Sequence, residues 1–85
     1  MFFWIIKIEL RKNYTIYIEF KDGLKGVIDF ENKLMTDHRE IIKELLNKDK
    51  FKTAKIERHT LCWDNGVDFA PEYLYDQIKM IKEVA

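Results

Sequence analysis

The chain is 85 residues long, and its 15 basic and 15 acidic side chains balance to a formal net charge of zero. Apolar residues make up 47% and charged ones 35%, with one proline and three glycines, which excludes disorder, collagen-like repeats and a low-complexity linker. That length suits a single domain over residues 1–85, without room for a second domain or a large enclosed cofactor.

The first 30 residues read as three antiparallel strands. In WIIKIEL, Trp4, Ile6, Ile8 and Leu10 alternate with Ile5, Lys7 and Glu9, the period of a strand with one buried face. A polar turn at Arg11–Asn13 leads to Tyr14, Ile16, Ile18 and Phe20, which alternate with Thr15, Tyr17, Glu19 and Lys21. Asp22-Gly23 then marks a hairpin, because a tight turn needs positive φ angles that glycine adopts without steric cost. The return strand, LKGVIDF, places Leu24, Ile28 and Phe30 inward and Lys25 and Asp29 outward.

The period changes after Phe30. Leu34, Ile41, Ile42, Leu45 and Leu46 recur at helical spacing, with Asp37 and Glu40 as a capping box, Thr36 as the competing cap, and fraying expected at 47–49. Phe51 folds back onto the core, and KTAKIER at 52–58 forms a fourth strand with Ala54 and Ile56 on one face. His59-Thr60 turns the chain into a fifth strand that begins at LCW. Pro71 suits the first turn of a closing helix striped by Leu74, Ile78 and Ile81. The expected fold is α+β, in the order β-β-β-α-β-β-α, an antiparallel sheet with two helices packed on one face.

A single cysteine, Cys62, forms no internal disulfide. The apolar opening MFFWII is stopped by Lys7, Glu9 and Arg11 well short of a membrane span, and it lacks the basic start and cleavage site of a signal peptide. A cytoplasmic location without membrane partners is the expectation, with no net field drawing the chain to nucleic acid.

Two stretches resemble a known family. Phe20, Asp22 and Gly23 form an FKDG hairpin with Asp29 six residues beyond, and Phe51 precedes WDNGVDFAPEYLY, which carries Trp63, Asn65, Gly66, Asp68, Pro71, Leu74 and Tyr75. This is similar to the prokaryotic family called domain of unknown function 2442, with its Phe-x-Asp-Gly hairpin and Trp-x-Asn-Gly-x-Asp-x-x-Pro-x-x-Leu-Tyr signature. Asp64 stands where members commonly carry proline. The resemblance implies a small α+β fold, sometimes ahead of a helix-turn-helix domain, and genes often beside another small gene in an arrangement resembling a toxin–antitoxin pair. It implies no established activity and no catalytic residues.

Helix-start chemistry accounts for the signature. Asn65-Gly66 supplies a turn or bulge, Asp68 a cap, Pro71 the first helical turn, and Trp63 and Tyr75 packing, which outweighs a catalytic reading of Asp64, Asp68 and Asp76. His38, His59 and Cys62 lack a fourth ligand and convergent spacing, so no metal site is expected. Cys62 has no adjacent base that would make it a nucleophile, and Gly23, Gly26 and Gly66 fit no phosphate loop. No cofactor is expected, and the chain reads as no enzyme.

Two features remain for binding. Lys48, Lys50, Lys52, Lys55 and Arg58 concentrate base in one segment, a weak nucleic-acid site without a stacking platform. If Trp4, Ile6, Ile8, Phe20, Ile28 and Trp63 face the helices, then Phe3, Ile5, Tyr17, Val27 and Cys62 face away as an apolar patch rimmed by Lys7, Glu19, Lys25 and Asp29. That patch predicts a non-enzymatic interaction module, binding a second copy or another protein, in an antitoxin-like or accessory role. The alternative is a nucleic-acid-associated regulator using residues 48–58.

Overall fold

A computed structural model describes residues 3–84. The α+β class holds, but the strands divide into two antiparallel three-stranded sheets. The first contains β1 (Ile5–Leu10), β2 (Thr15–Phe20) and β3 (Lys25–Asp29), in the order β1-β2-β3. The second contains β4 (Lys55–Glu57), β5 (Thr60–Cys62) and a two-residue strand absent from the sequence reading, β6 (Asp68–Phe69). Among the described residues the helices are α1 (Glu31–Thr36), α2 (Glu40–Lys43), α3 (Lys48–Phe51) and α4 (Pro71–Val84), with a 3-10 turn at Glu44–Leu46.

The expected helix after residue 34 is thus broken into short turns. Asp37 is its breaker. Its Oδ1 accepts the Arg39 backbone N–H at 2.9 Å, closing a side-chain turn that ends α1 instead of capping α2. Arg39 occupies the cap position of α2 and its side chain makes no capping bond to that helix, so the expected Asp37–Glu40 capping box does not form. Asp37 is buried, and both carboxylate oxygens receive the Arg39 guanidinium at 3.0 Å, with Lys33 Nζ at 3.1 Å from Oδ2. These donors, Arg39 foremost, hold the Asp37 carboxyl far below the usual carboxylate range. Asn47 does not mark fraying either: its Oδ1 accepts the Asp49 and Lys50 N–H groups and caps α3.

The core is made by Ile16, Ile18 and Phe20 of β2, by Ile28, Phe30, Leu34, Ile42 and Leu45, and by Phe51, Leu61, Trp63, Phe69, Leu74 and Ile78. Phe30, Phe51, Trp63 and Phe69 form a ring cluster with centroid separations of 5.4–6.2 Å. The tight fit of α4 on the first sheet depends on Gly26, where an added Cβ would lie 3.0 Å from Ile78 Cγ2.

The phase of β1 differs from strict alternation. Ile5 pairs with Phe20 but Lys7 pairs with Glu19, so Ile6 is an extra residue in a bulge. Ile5 therefore enters the core at 1% exposure, whereas Ile6 is 54% exposed. Beyond the bulge, Ile8 sits opposite Ile18 and packs against the core, while Leu10, opposite Ile16 at the strand end, is 40% exposed.

The two sheets meet at the β4–β5 turn. The Ile5 N–H donates to the His59 carbonyl at 3.1 Å, and the His59 ring stacks on Trp4 at 4.2 Å with planes 8° apart. Lys21 Nζ lies 4.6 Å from the centroid of the same indole. Arg58 and His59 form this turn with φ of 52° and 65°, a left-handed conformation uncommon outside glycine, asparagine and aspartate.

Candidate functional site

The two motif stretches build the same turn twice. In Phe20–Leu24, the Gly23 N–H donates to the Phe20 carbonyl and the Phe20 N–H to the Leu24 carbonyl, around Gly23 at φ 97°. In Trp63–Val67, Gly66 bonds back to Trp63 and Trp63 to Val67, around Gly66 at φ 95°. These are three-residue hairpin loops that need a left-handed residue at the third position, which glycine supplies. The residue before each glycine locks the loop: Asp22 Oδ1 accepts the Leu24 N–H at 3.0 Å, and Asn65 Oδ1 accepts the Val67 N–H at 3.1 Å.

Each locking side chain uses its other polar atom to hold a helical segment. Asp22 Oδ2 accepts the Tyr75 hydroxyl of α4 at 2.6 Å, while Asn65 Nδ2 donates to the Ile41 carbonyl at 3.0 Å and to Glu44 Oε1 at 3.2 Å. The Tyr75 bond depresses the Asp22 carboxyl and raises the Tyr75 phenol. Most of the remaining signature residues are likewise used within the fold. Trp63 Nε1 donates to the Phe51 carbonyl at 2.9 Å, Asp29 Oδ1 accepts the Glu31 N–H at 2.9 Å, Pro71 begins α4, and Leu74 is fully buried.

Asp68 lies exposed in β6 opposite Cys62, and Ala70, whose carbonyl accepts the Leu74 N–H, stands in the cap position of α4 that was expected of Asp68. Asp64 pairs with Lys55 Nζ at 2.9 Å. His38 lies in the loop between α1 and α2, and His59 in the β4–β5 turn, stacked on Trp4. Among the described residues, no group of three or more His, Cys, Asp or Glu side chains could hold a metal. Cys62 is half-buried in β5, where burial, followed by Glu57, pushes its thiol pKa up, away from the thiolate needed for nucleophilic attack.

The family model described as Protein of unknown function (DUF2442) matches residues 5–80. The chain belongs to this family. No curated protein and no solved structure matches it. In this DUF2442 chain the signature residues are therefore seen as joints between elements, with a turn motif repeated as aromatic-x-Asx-Gly at 20–23 and 63–66. That repeated spacing was visible in the sequence and is the sign by which the twin turns could have been found.

The expected apolar patch is smaller than the sequence suggested. Ile5 is in the core because of the bulge, and Phe3 packs its ring 4.7 Å from Tyr75 against the core. Cys62 belongs to the second sheet. Tyr17 and Val27 remain: they are directly paired across β2 and β3 on the face opposite Ile16, Ile18 and Ile28. Val27 is 40% exposed, Tyr17 is half-buried with the Arg11 guanidinium 5.1 Å from its ring centroid, and Lys7, Glu9, Lys25 and Asp29 surround them.

Three lysines of the basic segment have partners within the chain. Lys55 is engaged by Asp64 and Glu57, Lys50 lies 3.8 Å from Glu44, and Lys48 Nζ is 6.0 Å from the Tyr14 ring centroid. Among the described residues no helix is long and apolar enough to cross a membrane.

Proposed function

We propose that this DUF2442 chain is a non-enzymatic protein-interaction module that contacts another polypeptide through the solvent face of its first sheet. The carrying observation is the cross-strand pair of half-buried Tyr17 and exposed Val27 on the solvent face, which has no share in the core and is ringed by charges of both signs. An aromatic beside a branched aliphatic on an open sheet face offers apolar contact, and the mixed rim gives orientation. Turn locking and helix anchoring occupy the polar atoms of Asp22, Asn65 and Tyr75, which supports the same reading. An antitoxin-like or accessory role beside a neighbouring gene product, in the cytoplasm, is the form of this reading that the family resemblance favours.

Light scattering and a pull-down against the neighbouring gene product test it, with Tyr17→Lys and Val27→Glu variants alongside. Self-association or capture by the wild type, lost in both folded variants, is expected. A wild type that stays monomeric and retrieves nothing overturns the reading.

A further inference from the structure

We propose that β3 pairs antiparallel with β3 of a second copy of this chain, in a two-fold register centred on Val27. This rests on the interaction reading above and names its partner.

The first sheet has two edges, and they differ. At β1 the Ile6 bulge interrupts the strand and the Ile5 N–H is taken by the His59 carbonyl. A bulge and a covering loop are two of the devices by which proteins blunt an edge. β3 has neither: its five residues pair with β2 in continuous register, and among the described residues no strand lies on its other side.

The direction of its free backbone groups follows from the bonds at its two ends. Phe20 N–H to the Leu24 carbonyl and Phe30 N–H to the Tyr14 carbonyl fix the alternation, so Gly26 and Ile28 face β2. The N–H and carbonyl groups of Lys25, Val27 and Asp29 therefore point to the open edge, while their side chains stand on the solvent face beside Tyr17.

Charge selects the occupant. A Lys25 at one end and an Asp29 at the other would guard the edge against many strands, yet they match each other when the strand meets itself head to tail. With Val27 opposite its own copy, Lys25 faces Asp29 of the second copy, and Asp29 faces the second Lys25. Asp29 retains Oδ2 for that contact, since Oδ1 accepts the Glu31 N–H. Opposite charges directly across a ladder are favourable and like charges are not. The same register extends the Tyr17–Val27 row across the two-fold axis into one six-stranded sheet.

The test is sedimentation of the full chain across about 1 µM to about 1 mM, the range of a weak association. The wild type is expected to approach dimer mass. Lys25→Glu and Asp29→Lys each put like charges opposite one another and should weaken the dimer about tenfold, whereas mixing the two variants restores both pairs and the dimer. Cross-linking does not depend on the α1 contact of Asp29. In a Cys62→Ser background, Val27→Cys should oxidise to a covalent dimer, because positions 27 lie within disulfide reach. Lys25→Cys should not, its two copies being about 13 Å apart along the strands. A wild type monomeric throughout, a dimer indifferent to both charge variants, or equal cross-linking at 25 and 27 overturns the pairing. If the pairing fails but the neighbouring gene product is still captured and is lost on Tyr17→Lys, the interaction reading stands; if capture fails too, both fall.

Discussion

The Tyr75 hydroxyl donates to Asp22 Oδ2 at 2.6 Å, joining the closing helix to the first hairpin turn across 53 positions of sequence. Phe20 and Phe3 pack edge-on against the same ring, at 5.1 and 4.7 Å. The bond has two pH limits. Asp22 titrates below its ordinary value in the folded chain, so its contribution is complete above about pH 4 and is lost as pH falls. Tyr75 titrates above its ordinary value, so its contribution is complete below about pH 10 and is lost as pH rises. Tyr75→Phe is expected to lower the thermal midpoint by a few degrees at neutral pH and to flatten both limbs. Thermal melts from acid to alkali check this, and an unchanged alkaline limb would remove Tyr75 as its source.

The bulge in β1 makes adjacent isoleucines unequal. Ile5→Lys buries a charge in the core and should cost about 3 kcal/mol or more, whereas Ile6→Lys should stay within about 0.5 kcal/mol. Urea unfolding of the two variants measures the difference. Equal losses would contradict the bulge.

Asn65 works through both ends of its amide. Asn65→Asp keeps the acceptor for Val67 but replaces the donor to Ile41 and sets a carboxylate beside Glu44, an expected loss of about 1–3 kcal/mol. Glu44→Gln in that background should restore part of it. Denaturant midpoints for the single and double variants form the check, and a neutral Asn65→Asp would mean that the amide donor is idle.

Asp37 is expected to contribute, with Asp22, to the loss of stability in acid. Its folded carboxyl is held down by Arg39, so its contribution is full above about pH 4 and disappears as pH falls through that value and below. Asp37→Asn should lower the urea midpoint at neutral pH and leave a shallower dependence below pH 4. Identical acid profiles for variant and wild type would show that the Asp37 cluster does not set the slope.

What could be read from sequence was local. The alternation of Ile16, Ile18 and Phe20, the glycine-bearing turns and Pro71 at a helix start each depend on neighbouring residues, and each stands where expected. The bulge was invisible because Ile5 and Ile6 are both apolar, so either phase satisfies a period of two. The break at Asp37 was hidden because Leu34 and Ile41, seven positions apart, fit one helical stripe whether or not the chain turns between them. β6 is too short to show any period. The candidate surface divided along the same line: Tyr17 and Val27 follow from the hairpin register, while Phe3 and Ile5 were misassigned by one inserted residue and Cys62 by the division into two sheets.

The Ile5–His59 hydrogen bond also makes one amide a gauge of how the molecule opens. Ile5 gives its proton to the β4–β5 turn and not to β2, so the first hairpin can stay zipped while that proton is released. Deuterium uptake at Ile5 faster than at Ile16 or Ile18 would record the two halves parting before either melts, with the left-handed Arg58-His59 corner as the latch.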